Sequence, residues 1–115
     1  MSATLKPKVL FIGYGHLAKS FVSKKLLSSA SIYALDSKSV IKNINLKKKI
    51  SKINNDFNYI FLLVRPNIFL NSGSQFQKYL SKSSLVISCI AGVKLTTIEK
   101  ILNTKKVIRI MPNVM

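Results

Sequence analysis

At 115 residues, 48% of them hydrophobic, the chain is long enough for one domain with a core and too short for a cofactor domain joined to a full substrate domain. The hydrophobic content excludes a disordered chain, and the longest apolar run, residues 59–64, is far below the ~20 residues that span a bilayer. Nineteen Lys and Arg against three Asp and Glu give a net charge of +16, which favours anionic ligands.

Taken in order, short β-rich runs alternate with stretches of helical spacing, the signature of a parallel α/β sheet. Residues 8–12, Lys-Val-Leu-Phe-Ile, are apolar on both faces and end at Gly13, as a buried parallel strand before a tight turn should. A helix is predicted within 16–27, where Leu17, Ala18, Phe21, Val22 and Leu26 share a face. Residues 31–35 form a second strand that stops at Asp36. The signal weakens across 37–58; a short third strand is expected near 44–46, followed by a turn or short helix. Residues 59–64 are the clearest strand, ended by Arg65-Pro66 because proline cannot donate to a continuing ladder. A helix is expected in part of 68–80, a buried strand at 85–90, and a helix carrying Ile98, Ile101 and Leu102, capped by Thr96 or Thr97. The last strand is 107–111. The expected architecture is a Rossmann-like, doubly wound, mostly parallel sheet, incomplete at its C-terminal edge, in one nucleotide-binding domain over residues 1–115.

The segment Gly13-Tyr-Gly15-His-Leu-Ala18, between a strand and a helix, matches the G-x-G-x-x-G/A dinucleotide fingerprint in its required context. Gly13 permits the tight turn, Gly15 has no side chain to obstruct a pyrophosphate, and Ala18 lets helix and strand pack closely. The helix N-terminus offers N–H groups to phosphates. Asp36, 21 residues beyond Gly15, is placed to accept hydrogen bonds from ribose hydroxyls. The competing interpretation is a glycine pair that closes a βα turn, with Asp36 capping a loop. The Asp36 carboxylate favours NAD, whereas Ser37 and Lys38 suit a 2′-phosphate, so NAD and NADP both stay open.

Other candidates carry less. His16, inside the glycine loop, is better suited to give its backbone N–H to phosphate than to move a proton. One His and three acids assemble no usual metal set, and a Ser or Cys nucleophile would need His16 as its base. Cys89 sits in an apolar strand as a small core residue whose strand end can still face a cofactor. As a single cysteine it forms no internal disulfide, and no signal-peptide-length apolar stretch precedes the first strand; a cytoplasmic location is expected. Seventeen of the 19 basic residues are lysine, and Lys, Ile and Asn make up 40 of 115 residues, a skew that an AT-rich coding sequence produces without any partner. The lysines are scattered and lack interleaved aromatics, so a basic module for nucleic acid or an acidic surface is the lesser alternative.

Several segments together resemble the N-terminal part of pyrroline-5-carboxylate reductase: Phe11-Ile-Gly-Tyr-Gly-His-Leu-Ala18, Phe61-Leu-Leu-Val-Arg-Pro66, Val86-Ile-Ser-Cys-Ile-Ala-Gly-Val93, Thr97-Ile-Glu-Lys100 and Val107-Ile-Arg-Ile-Met-Pro-Asn113. The resemblance implies reduction of 1-pyrroline-5-carboxylate to L-proline with NADPH or NADH, in proline biosynthesis. It places cofactor contacts on Ile12, Gly13, Tyr14, Gly15, His16 and Leu17 for the pyrophosphate, and on Asp36 and Ser37 for the adenosine ribose. Further contacts fall on Leu63, Val64, Arg65 and Pro66, and on Cys89, Ile90 and Ala91; Asn113 would lie near the nicotinamide. No catalytic residue or metal ligand is assigned. Arg65 replaces the family's lysine, the stretch between Asp36 and Asn58 is shorter than usual, and the chain reads Val114-Met115 where the family continues with Thr-Pro. The expectation is a C-terminally truncated form without the helical dimerisation and substrate domain, binding a dinucleotide at most. A split reductase completed by another chain at the exposed sheet edge is the variant of that view.

Overall fold

The computed structural model describes residues 6–36, 40–51 and 55–110. Lys8–Ile12 (β1) is the central strand, hydrogen-bonded in parallel to Ser31–Leu35 (β2) on one side and Tyr59–Leu62 (β5) on the other. Leu85–Ser88 (β6) and Val107–Arg109 (β7) continue the parallel ladder. Ile41–Asn43 (β3) and Lys48–Ile50 (β4) extend the opposite wing antiparallel, giving the order β4-β3-β2-β1-β5-β6-β7. The mostly parallel α/β architecture expected from the sequence is the architecture observed. Among the described residues β7 is an edge strand, paired only with β6.

The helices divide between the two faces. His16–Phe21 (α1) and Lys24–Ser29 (α2) pack over Val9, Phe11, Ile32 and Ala34. Pro66–Ser72 (α3), the 3₁₀ segment Gly73–Tyr79 and Leu95–Leu102 (α4) pack over Leu10, Ile12, Ile60, Leu62 and Val86. The second layer is the fuller core: Phe57, Phe69, Ile98 and Leu102 are almost wholly buried there, and the Phe69 and Phe76 rings stack at 6.5 Å. No helix among the described residues is long and apolar enough to cross a membrane.

Several predicted elements are corrected. The single helix at 16–27 is two, because Val22 is extended and the Ser23 hydroxyl accepts the Leu26 N–H at 3.1 Å, starting a new helix; serine competes for backbone donors and so favours such starts. The strand expected at 44–46 is a turn between β3 and β4, and the strand lies just before it. Asn43 Oδ1 accepts the Leu46 N–H at 3.0 Å and Lys47 adopts a left-handed φ of 54°. Asn45 binds that turn to the body: its Oδ1 accepts from Ile32 N–H at 2.7 Å, and its Nδ2 donates to the Leu27 and Ala30 carbonyls at 2.8 and 3.0 Å. The strand at 59–64 ends at Leu62, where Gly13 approaches the following backbone. The helix sought in 68–80 begins at Pro66, a residue suited to the first helical position, and tightens to 3₁₀ geometry from Gly73. The strand at 85–90 ends at Ser88. α4 is entered through Lys94 with no side-chain cap, which puts Thr96 and Thr97 inside the helix and not at its start. The last strand ends at Arg109, and Met111 lies outside the described residues.

Candidate functional site

At the C-terminal ends of β1 and β2 an open cleft of about 420 Å³ is lined by Ile12, Gly13, Tyr14, Gly15, Leu35, Asp36, Val64, Ile68, Gln75 and Phe76. This is where ligands bind in open α/β sheets, beyond the strand ends where neighbouring connections leave to opposite faces. Here α1 leaves β1 for one face while α3 leaves β5 for the other.

The two glycines of the loop are glycine for different reasons. Gly13 has φ +94° and donates its N–H to the Leu35 carbonyl at 3.1 Å. A Cβ there would lie 3.0 Å from the carbonyl carbon and oxygen of Leu63 and 3.2 Å from Val64 Cγ1. Both the backbone conformation and the close approach of the chain after β5 demand glycine. Gly15 is extended, with φ −94° and ψ −155°, and a Cβ there would meet nothing within 4 Å. No feature of the folded chain needs glycine at position 15; the space that its missing side chain leaves belongs to the cleft. Ala18 is fully buried between α1 and the sheet, as close helix–strand packing requires.

Asp36 stands at the end of β2. Its N–H donates to the Val40 carbonyl and its Oδ1 accepts the Val40 N–H, both at 3.0 Å. The carboxylate therefore closes the β2–β3 loop and lines the cleft at the same time. Tyr14 is half-buried beside the loop, its ring 6.2 Å from that of Phe11, with Lys19 Nζ 5.8 Å from its centroid; burial raises its phenol above the usual range. His16 is exposed as the first residue of α1. The N–H groups of that first turn lack intrahelical acceptors, as in every α-helix.

The structure gathers Ile12, Gly13, Tyr14, Gly15, Asp36 and Val64 around the cleft, and sets His16 and Leu17 just beyond it on α1. Leu63 is half-buried against the α1 layer, while Arg65 and Pro66 are exposed at the start of α3. Cys89 follows β6, donating its N–H to the Leu62 carbonyl at 3.0 Å; burial raises its thiol above the usual range. Ile90 is buried and Ala91 exposed; none of the three lines the cleft. Ser37 and Asn113 lie outside the described residues. Ile68, Gln75 and Phe76 were not foreseen. They come from α3 and the 3₁₀ segment, and no local motif in the sequence marks them. Among the described residues no three His, Cys, Asp or Glu gather as a metal site.

No family model matches the chain. Pyrroline-5-carboxylate reductase of Staphylococcus haemolyticus is 29% identical, the match covering 92% of this chain and 44% of that protein. The enzyme of Escherichia coli is 28% identical, with 95% and 45% covered. The chain thus spans a little under half the length of these relatives. Among solved structures, prephenate dehydrogenase from A. aeolicus, in complex with hydroxyphenyl propionate and NAD+, superposes with a TM-score of 0.64 at 21% identity over 94% of this chain and 42% of that one. This likeness is one of fold. Over nearly its whole length the chain is similar to the pyrroline-5-carboxylate reductases, as the resemblance of its sequence segments led us to expect.

Proposed function

We propose that this chain is a nicotinamide-dinucleotide-binding domain, taking NAD or NADP, and that it supplies the cofactor half of a reductase of the pyrroline-5-carboxylate type. The observation that carries the reading is Gly15: an extended, unstrained residue with open space where a side chain would be, at the mouth of a cleft of about 420 Å³. Glycine is the residue that lets a pyrophosphate approach the backbone at this point of the fold. Relatives with that activity and a structural neighbour that binds NAD+ support the same ligand.

In this reading the loop Gly13–Gly15 and the first-turn N–H groups of His16 and Leu17 hold the pyrophosphate, with Ile12 and Tyr14 as the walls. Asp36, with Ser37, orients the adenosine ribose; its bond to Val40 fixes the carboxylate where the ribose hydroxyls arrive. The segments Leu63–Pro66 and Cys89–Ala91 follow the neighbouring strands β5 and β6 and border the run toward the nicotinamide, with Asn113 at its far end. When bound, the dinucleotide supplies the hydride for reducing the substrate's C=N bond. Reaction requires that donor and acceptor be held together, and the proposed domain holds one of the pair. Turnover to proline therefore needs further polypeptide, joined to this one or separate from it.

The test is thermal unfolding of the 115-residue chain with NADH or NADPH at millimolar concentration, in the wild type and in Gly15→Val. A ligand at ~100 times its Kd adds about 2.7 kcal/mol, roughly 10 °C for a domain of this size. The wild type should show that rise with one dinucleotide. Gly15→Val should melt no lower than the wild type without ligand and gain nothing from it. An unmoved wild-type transition, or a rise retained in Gly15→Val, overturns the reading.

A further inference from the structure

Charge is distributed unevenly around the cleft at the strand ends. The chain has 19 Lys and Arg against three Asp and Glu, yet the described residues that line the cleft include no Lys, Arg or His and do include Asp36. A strongly basic chain thus presents an acid at this place. Lys49 and Lys78 line a different groove, with Val40, Ile41 and Tyr79, that shares no residue with the cleft. Lys19 and Arg65 belong to α1 and to the start of α3, elements that follow β1 and β5, whereas Asp36 stands at the end of β2.

The Asp36 carboxylate is also held in place. Its Oδ1 accepts the Val40 N–H, and the Asp36 N–H donates to the Val40 carbonyl, both at 3.0 Å. Swinging the carboxylate out of the cleft would break the first of these bonds and loosen the β2–β3 loop that the pair closes. Asp36 is half-buried, and salt screens such a charge less than one on the open surface.

NAD and NADP differ in one group, carried on the 2′ carbon of the adenosine ribose. In NAD it is a hydroxyl, which can donate to a carboxylate in a charge-assisted hydrogen bond. In NADP it is a phosphate monoester, with a charge of about −1.5 to −2 at neutral pH, and it meets the carboxylate as a like charge. Discrimination between two ligands needs such a repulsive element as well as an attractive one, and one side chain supplies both here.

We infer that Asp36 determines the specificity of the cleft and that the chain takes NAD in preference to NADP. The inference rests on the dinucleotide-binding reading above and adds which of the two ligands the site selects.

Calorimetric titration of the 115-residue chain with NADH and with NADPH at neutral pH tests it. NADH should bind roughly tenfold more tightly, or better. Asp36→Asn keeps an oxygen for the Val40 N–H and removes the charge, so the preference for NADH should fall roughly fivefold or more, chiefly because NADPH gains. A residue that merely braced the loop would weaken both dinucleotides alike and leave their ratio unmoved. The wild-type ratio needs no variant, and Asp36→Ser takes the place of Asp36→Asn, with the same expectation, if the latter fails to melt cooperatively. Equal affinities, tighter NADPH, or a ratio unchanged in the folded variant overturns the inference and leaves the domain a dinucleotide binder. Tighter NADPH whose advantage is lost in Lys38→Gln would overturn it too, and would make Lys38 the selecting residue. Binding of neither dinucleotide at millimolar concentration overturns the dinucleotide reading itself, and this inference with it.

Discussion

Gly13→Ala and Gly15→Ala, two residues apart in one loop, should differ by several kcal/mol in stability. At Gly13 an added methyl forces an L-residue to hold φ +94°, a left-handed conformation that costs roughly 1–2 kcal/mol. The methyl also stands 3.0 Å from two backbone atoms of Leu63, where no side chain can turn aside, and overpacking of that kind adds about 1–3 kcal/mol. The sum is about 2–5 kcal/mol, or a fall of roughly 8–20 °C in Tm for a domain near this length. At Gly15 the same methyl meets nothing within 4 Å and φ is −94°. Restricting the unfolded chain there stabilises by about 0.4–1 kcal/mol. Urea unfolding followed by far-UV circular dichroism measures both on one scale. Equal losses at the two positions, or a loss above ~1 kcal/mol for Gly15→Ala, would refute the division between a glycine the fold needs and a glycine the ligand needs.

Phe69→Ala should cost about 3–5 kcal/mol, since Phe69 is fully buried beneath α3 and packs against Gly73 and Phe76; a urea midpoint shifted by less than a quarter of the total stability would contradict that. Ser84→Ala should cost about 1–3 kcal/mol, because the buried Ser84 hydroxyl donates to the Phe57 carbonyl at 2.6 Å and accepts the Ser81 N–H at 2.9 Å; restoration by Thr but not by Val would separate the hydrogen bond from packing. Burial holds the Cys89 thiol above its ordinary value of 9.0 and the Tyr14 phenol above 10.0. The folded state keeps these protons longer than the unfolded one, so their contribution is intact below about pH 9 and is lost as pH rises through the folded-state values. Melting temperatures from pH 8 to 11 should fall, and Cys89→Ala should remove the earlier part of that fall; an unchanged profile would place the loss elsewhere.

The parallel half of the fold was legible because its strands are apolar on both faces and end at strong punctuation: Gly13 after β1, Asp36 after β2, Pro66 after β5. The β3–β4 hairpin was not, because its sequence, rich in lysine and asparagine, has no periodicity of two. Its position depends on Asn43 and Asn45 hydrogen-bonding backbone at particular places in the folded chain. The break at Val22 was hidden for a similar reason, since the apolar spacing runs straight across it and only the Ser23 cap decides. In the cleft, the residues that belong to the glycine loop and to the end of β2 were identified from local chemistry. Ile68, Gln75 and Phe76 reach it only because α3 and the 3₁₀ segment pack on the same side of the sheet as Ile12 and Leu35, a placement set by the tertiary fold.

The topology also fixes an order of assembly. In the β2–β3–β4 meander Tyr33 pairs with Asn43, ten positions along the chain, whereas Leu10 pairs with Ile60, fifty positions away. Closing the fivefold longer loop costs roughly 1.4 kcal/mol more in chain entropy, so the hairpin wing forms from local contacts while the joining of β1 to β5 waits. The Gly13 loop rests on Leu63 and Val64, just past β5, and the cleft does not exist until that late pairing closes. A molecule bound there would hold shut the longest loop of the sheet, and its effect would appear in the global unfolding rate and not as local stiffening.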